Sequence, residues 1–113
     1  KKYDLVIKTL QSVEYDDYTY NLNSKNMLIC TYYDTGEIDA LFFLLESFRA
    51  FLNRNKNIPE DRKNLYRAFI SFTKKLAKLT PKDEKSKTKL ITELQQTSNV
   101  ASKNWLLEKL AEL

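Results

Sequence analysis

Gly36-Glu37-Ile38-Asp39-Ala40-Leu41-Phe42-Phe43-Leu44-Leu45-Glu46-Ser47-Phe48 is the stretch on which the fold turns. Ile38, Leu41, Leu45, Phe48 and, beyond it, Leu52 recur every three or four residues, so a helix would carry them on one stripe. Phe42, Leu44 and Phe51 widen that stripe. A helix so apolar on more than one side is expected to pack against neighbours on both flanks and to form the core. The pattern has an earlier copy at an offset of 35 residues. Lys1-Lys2-Tyr3-Asp4-Leu5-Val6 lines up with Gly36-Glu37-Ile38-Asp39-Ala40-Leu41, and Leu10 and Val13 fall on Leu45 and Phe48. A period in the thirties is the mark of a helix-pair solenoid, in which each unit buries its apolar face only against its neighbours.

Working outward from this stretch, the spacing predicts about six helices. The first runs from Lys2 to about Glu14, with Tyr3, Val6, Leu10 and Val13 on one face. Asp16 or Asp17 can cap the next helix, because a carboxylate accepts its free N–H groups. That second helix covers about Tyr18 to Tyr33 and turns Leu28 and Tyr32 inward. Gly36, the only glycine of the chain, stands where a helix C-terminus wants a left-handed residue. The third helix spans about Glu37 to Asn53. Pro59 suits the first turn of the fourth, about Pro59 to Leu79. There Leu65, Phe69, Phe72, Leu76 and Leu79 share a narrow arc, with Lys63, Arg67, Lys74 and Lys78 opposite them. Thr80-Pro81 breaks it. The fifth helix, about Lys82 to Gln96, has only Leu90, Ile91 and Leu94 as large anchors. Ser102 then reads as the N-cap of a last helix carrying Trp105, Leu106, Leu107, Leu110 and Leu113.

Composition supports this all-α reading and narrows the chemistry. One Gly and two Pro in 113 residues are too few for the turns of a β-rich fold. No histidine is present, which removes the commonest general base, the usual metal ligand and any Ser–His or Cys–His pair. Cys30 is the sole cysteine, so no internal disulfide can form, and a structural thiol is expected rather than a nucleophile. The longest apolar run, Ala40 to Leu45, is far short of the roughly 20 residues of a membrane helix. With no secretory signal visible, the default setting is the cytoplasm. No metal, cofactor or catalytic residue is expected, and no enzymatic activity.

The charge is lopsided. Residues 1–48 carry four Lys against eight Asp and Glu, whereas residues 49–113 carry fifteen Lys and Arg against seven acids. Opposite-signed halves can stack end to end or serve two partners.

The second and third helices resemble a tetratricopeptide repeat. That family pairs two antiparallel helices in about 34 residues. Leu28 and Tyr32 match its first-helix positions, and Gly36 matches its turn. Leu41 and Phe48 stand where the family prefers small residues, Leu45 where it prefers an aromatic. Lys25 replaces its early Trp, Ile29 its Gly and Asn53 its closing Pro, so the helix spacing or angle is expected to differ from the standard repeat.

The resemblance implies a right-handed stack of antiparallel helix pairs at the C-terminal end of a longer array. Residues 1–53 would supply the second helix of one repeat and one full pair, and residues 54–113 atypical capping helices, as one continuous domain cut from a longer protein. It also implies a concave, peptide-binding groove lined by first helices, and so places Asn23, Asn26, Cys30, Tyr33 and Asp34 on it. Asn26 and Cys30 stand where the best-known groove clamps a carboxylate with Lys and Asn, so that clamp is missing. The expected role is protein–protein interaction or scaffolding, with a protein or peptide as partner. One alternative is a nucleic-acid-binding helical domain that uses the basic stripe Lys63, Arg67, Lys74 and Lys78 within residues 62–89. Tyr66 and Ile70 flank that stripe, and its plainer reading is a solvated face. The other alternative is a structural end-cap that self-associates.

Overall fold

In a computed structural model the described residues are 18–113, and they form five helices and no strand. These are α1 (Tyr18–Asp34), α2 (Ile38–Arg54), α3 (Glu60–Lys78), α4 (Glu84–Gln96) and α5 (Lys103–Glu112). The described part of the protein is all-α. Each expected helix from the second onward is present within two residues of its expected ends. The expected first helix, with its Asp16-Asp17 cap and its share of the 35-residue repeat, lies outside the described residues. Contacts divide the chain into two units, Lys1–Phe51 and Leu52–Leu113.

In the first unit, α1 passes to α2 through a closed turn. Gly36 has φ 75°, the left-handed conformation that a Cβ disfavours. Its N–H donates to the Tyr33 carbonyl (3.2 Å), and the Glu37 N–H donates to the Tyr32 carbonyl (2.9 Å). This pair of bonds is a Schellman motif, and it satisfies carbonyls that the helix end leaves unpaired. On α2, Leu41, Leu45, Phe48 and Leu52 are fully buried, as their spacing predicts. Its flanks are less covered than expected. Phe42, Leu44 and Phe51 are half-buried, Ile38 is exposed, and Phe43 is 79 % exposed. On α1, Leu22 and Ile29 are fully buried beside Leu28, while Tyr32 is only half-buried.

In the second unit, α3, α4 and α5 pack on one another in all three pairings. Pro59 is the N-cap of α3 rather than its first helical residue, and its carbonyl accepts the Lys63 N–H at 3.0 Å. Glu60 and Asp61 in the first turn and Lys75 and Lys78 in the last complement the helix dipole. Leu79 turns extended (φ −70°, ψ 142°), since the helix cannot continue into Thr80-Pro81.

The buried face of α3 differs from the expected narrow arc. Leu65 and Leu79 are only half-buried, while Tyr66, Ile70 and Lys63 are buried beside Phe69, Phe72, Thr73 and Leu76. At about 100° per residue this covers about half the helix circumference. One reason is that α3 receives both α4 and α5, whereas a narrow stripe serves a single neighbour.

Thr73 is fully buried and its hydroxyl has no hydrogen-bond partner among the described residues. Such a group loses its hydration without compensation. Thr73→Val keeps the branched shape and removes the orphan, so it should stabilise the protein by about 1 kcal/mol. Urea titration checks this, and a lower midpoint for the variant would show that the hydroxyl is satisfied after all.

Asp83 caps α4, its carboxylate accepting the Ser86 N–H at 3.1 Å. The Ser86 hydroxyl, and then this backbone bond, hold the Asp83 pKa below the ordinary carboxylate value. The folded state therefore prefers the ionised form. The stability this supplies is complete above the unfolded Asp pKa and is lost as pH falls through the lowered folded value. Asp83→Asn should lower the melting temperature at pH 7 by more than at pH 2.5. An equal shift at both values would count against an ionised cap.

The connection between α4 and α5 is tied down from both sides. The Ala101 N–H donates to the Leu65 carbonyl of α3 (3.1 Å), and Val100 is buried. Lys103 Nζ donates to the carbonyls of Thr97 (2.9 Å) and Gln95 (3.4 Å), closing the C-terminus of α4 with a cation. Ser102 is the N-cap residue of α5, as its type suggests, yet its side chain makes no capping bond. Capping needs an extended backbone to aim the hydroxyl at the helix N–H groups, and Ser102 is left-handed (φ 53°, ψ 37°).

Candidate functional site

The groove residues implied by the resemblance all lie on α1, a continuous helix from Tyr18 to Asp34. At helical spacing Asn23, Asn26, Cys30, Tyr33 and Asp34 share about a third of its circumference. Asn23 and Asp34 are exposed, and Asn26, Cys30 and Tyr33 are half-buried. The structure thus brings the five together on one face.

Two further residues belong to that face. Tyr20 and Met27 are 56 % and 53 % exposed. With Asn23, Cys30 and Asp34 they form the series i, i+3, i+7, i+10, i+14, a straight ridge along the helix. The signal was present in the spacing, since Tyr20 and Met27 sit three residues before and four after Asn23. Their apolar character hides it, because a sequence reading assigns large apolar residues to a core. The ridge combines amides, a carboxylate, a thiol, a phenol and a thioether. It can offer hydrogen bonds and adaptable apolar contact.

The opposite side of α1 anchors it. Leu22, Leu28 and Ile29 are buried there, whereas Thr31, which helical spacing places beside Tyr20 and Met27, is buried too and donates its hydroxyl to the Met27 carbonyl at 2.8 Å. Lys25 Nζ lies 4.6 Å from the centroid of the Phe51 ring on α2, a cation–π contact within the same unit. Burial lowers the pKa of this ammonium. The Phe51 ring is in turn 6.5 Å from that of Phe48.

The basic stripe of α3 does not survive as a row of solvated cations. Lys63 is buried at 8 % exposure, not opposite the core as its spacing suggests, because the buried arc extends past Ile70 to reach it. Arg67 is spent within its own unit: its guanidinium bonds Glu60 (3.2 Å), Asn64 (3.1 Å) and Asn53 (3.0 Å). Lys74 is half-buried and Lys78 is exposed. Tyr66 and Ile70, at the edge of the stripe, are buried. Burial raises the Tyr66 pKa, with Arg62 opposing it.

Among the described residues no group of three or more Cys, Asp or Glu gathers in a way that could hold a metal ion. No described helix is long and apolar enough to cross a membrane. No known protein family matches the chain, and no curated protein or solved structure is similar to it.

Proposed function

We propose that this chain is a protein-interaction module, without catalytic activity, that recognises its partner through the exposed ridge of α1. The observation that carries the reading is the exposure of Tyr20 and Met27 on the same face as Asn23, Cys30 and Asp34. Aromatic and Met side chains are enriched where protein surfaces meet, and the polar groups between them suit an extended peptide backbone. A tetratricopeptide-like arrangement fits this role. α1 and α2, two helices of 17 residues joined at a left-handed Gly36, support the reading as a helix pair. Leu41 and Phe48 fill positions that the family keeps small, and both are fully buried; on this reading the pair crosses at more than the standard spacing. Lys25, in place of the family's Trp, covers Phe51 with its ammonium. A solenoid end of this kind presents a preformed surface, which limits the ordering cost of binding. The cytoplasm is its default setting.

The nucleic-acid alternative has less to stand on. Of its four cations, one is buried and one is held by Glu60, Asn64 and Asn53.

The test compares the parent protein with Tyr20→Gln/Met27→Gln and with Lys74→Glu/Lys78→Glu, each immobilised and exposed to lysate at low and high salt. The expected result is a protein captured by the parent and by the lysine variant, surviving high salt, and lost with the α1 variant. Equal capture by all three would refute the assignment to α1. Nucleic acid recovered at low salt alone, and lost with the lysine variant, would replace it with the alternative.

A further inference from the structure

The outer face of α2 carries a ring that neither the core nor the interaction reading uses. Phe43 is 79 % exposed, on the side of the helix opposite Leu41, Leu45, Phe48 and Leu52. One exposed ring is ordinary on a protein surface. What sets this one apart is the rest of its face. Ala40, Ser47 and Ala50 follow it along the helix at the same spacing and are all small, so the ring stands beside a shallow stretch. Asp39 and Arg54, both exposed, end the face with opposite charges. Neither makes an ion pair among the described residues. α2 is one uninterrupted helix, and at about 100° per residue Asp39, Phe43, Ala50 and Arg54 fall within about 60° of one another.

This face is complementary to itself. When a second α2 lies antiparallel on it, with the two-fold axis crossing between Glu46 and Ser47, Phe43 meets the partner's Ala50. Asp39 then meets the partner's Arg54. Two-fold symmetry makes each pairing occur twice. Packed helices stand about 8–10 Å apart, close enough for the ring to lie in the shallow stretch and for the guanidinium to reach the carboxylate. A parallel pair in register would instead set Asp39 on Asp39 and Arg54 on Arg54. That one axis position satisfies shape and charge together favours a second copy over an unrelated protein.

We infer that two copies of this chain pair through the outer faces of α2, antiparallel about that axis. The α1 ridge takes no part. A helix of 17 residues is about 25 Å long, so one face of it buries less than about 1,200 Å2 and the dimer is a transient one. Glu46, about 60° round the helix from Phe43, meets its own copy beside the axis, and this repulsion weakens the pair further. At low micromolar concentration the chain is monomeric.

The test is sedimentation equilibrium of the full chain from about 1 to about 500 µM. The parent should dimerise with a Kd of about 10–100 µM. Phe43→Ser should weaken the dimer at least about tenfold, and Tyr20→Gln/Met27→Gln less than about twofold, at unchanged circular dichroism. Asp39→Arg and Arg54→Asp should each weaken self-association by about fivefold or more. An equimolar mixture of these two variants should restore it, because each arginine of one then faces an aspartate of the other. Glu46→Gln should tighten the dimer by about twofold or more. The inference is overturned by a monomer at the highest concentration, or by a dimer that survives Phe43→Ser and is lost in the α1 variant. Failure of the mixture to recover would overturn the antiparallel arrangement, and with it the inference.

Discussion

Phe69→Ala should remove about 3–5 kcal/mol from the stability of the Leu52–Leu113 unit, enough to unfold much of it at 37 °C. Phe69 is fully buried on α3 and meets the edge of the Trp105 ring, with centroids 6.1 Å apart and planes at 61°. Truncation would forfeit the transfer of the ring from water and the dispersion contacts around it, and would leave a cavity. It would also end an edge-to-face pair worth about 0.5–1.5 kcal/mol beyond its area. The walls cannot readily collapse inward, because α3 is held by both α4 and α5. A unit of this size has a total stability of only about 3–9 kcal/mol. Thermal melts followed by circular dichroism and Trp105 fluorescence would show a fall of well over 10 °C, or no cooperative transition. A fall below about 5 °C would mean that the Phe69 side chain is not packed as described. Phe69→Leu, which refills most of the volume, should recover more than half of the loss.

The second large effect separates two residues that look alike in the sequence. Phe48→Ala should cost about 3–5 kcal/mol, and Phe43→Ser less than about 0.5 kcal/mol. Both lie on α2, but Phe48 is fully buried with its ring tilted against that of Phe51, whereas Phe43 is 79 % exposed. Phe48 neighbours the Phe51 ring that Lys25 covers, so its loss should also loosen α1. Hydrogen exchange would show this as faster exchange of α1 amides in Phe48→Ala and unchanged exchange in Phe43→Ser. Comparable losses of stability in the two variants would contradict the assignment of Phe43 to the surface.

Much of the fold was legible from local chemistry. The described helices from α2 onward follow the period of their apolar residues, which α1 barely shows, and the ends of α1 and α3 follow Gly36, Pro59 and Thr80-Pro81, residues whose backbone preferences act wherever they stand. Less of the candidate site was legible. Helical spacing alone places Asn23, Asn26, Cys30, Tyr33 and Asp34 on one face, but it cannot show that Tyr20 and Met27 stay in solvent there.

Asp83 and Ser102 mark the boundary between the two kinds of information. Both are ordinary capping residues by type, and only Asp83 makes the bond. The Ser102 backbone is left-handed, in a connection whose Ala101 N–H is bonded to Leu65 of α3.

The amino-acid sequence by itself determined that the described residues are all-α, where most of their helices begin and end, and which residues share a face. Those properties depend on backbone preferences and on a period that each helix carries within itself. The tertiary structure alone decided how wide each buried face is: it drew Lys63, Tyr66 and Ile70 under cover, bound Arg67 to Glu60 and its neighbours, and left Tyr20, Met27 and Phe43 in solvent. Burial depends on which surfaces lie opposite, and a helix contains no record of its neighbours.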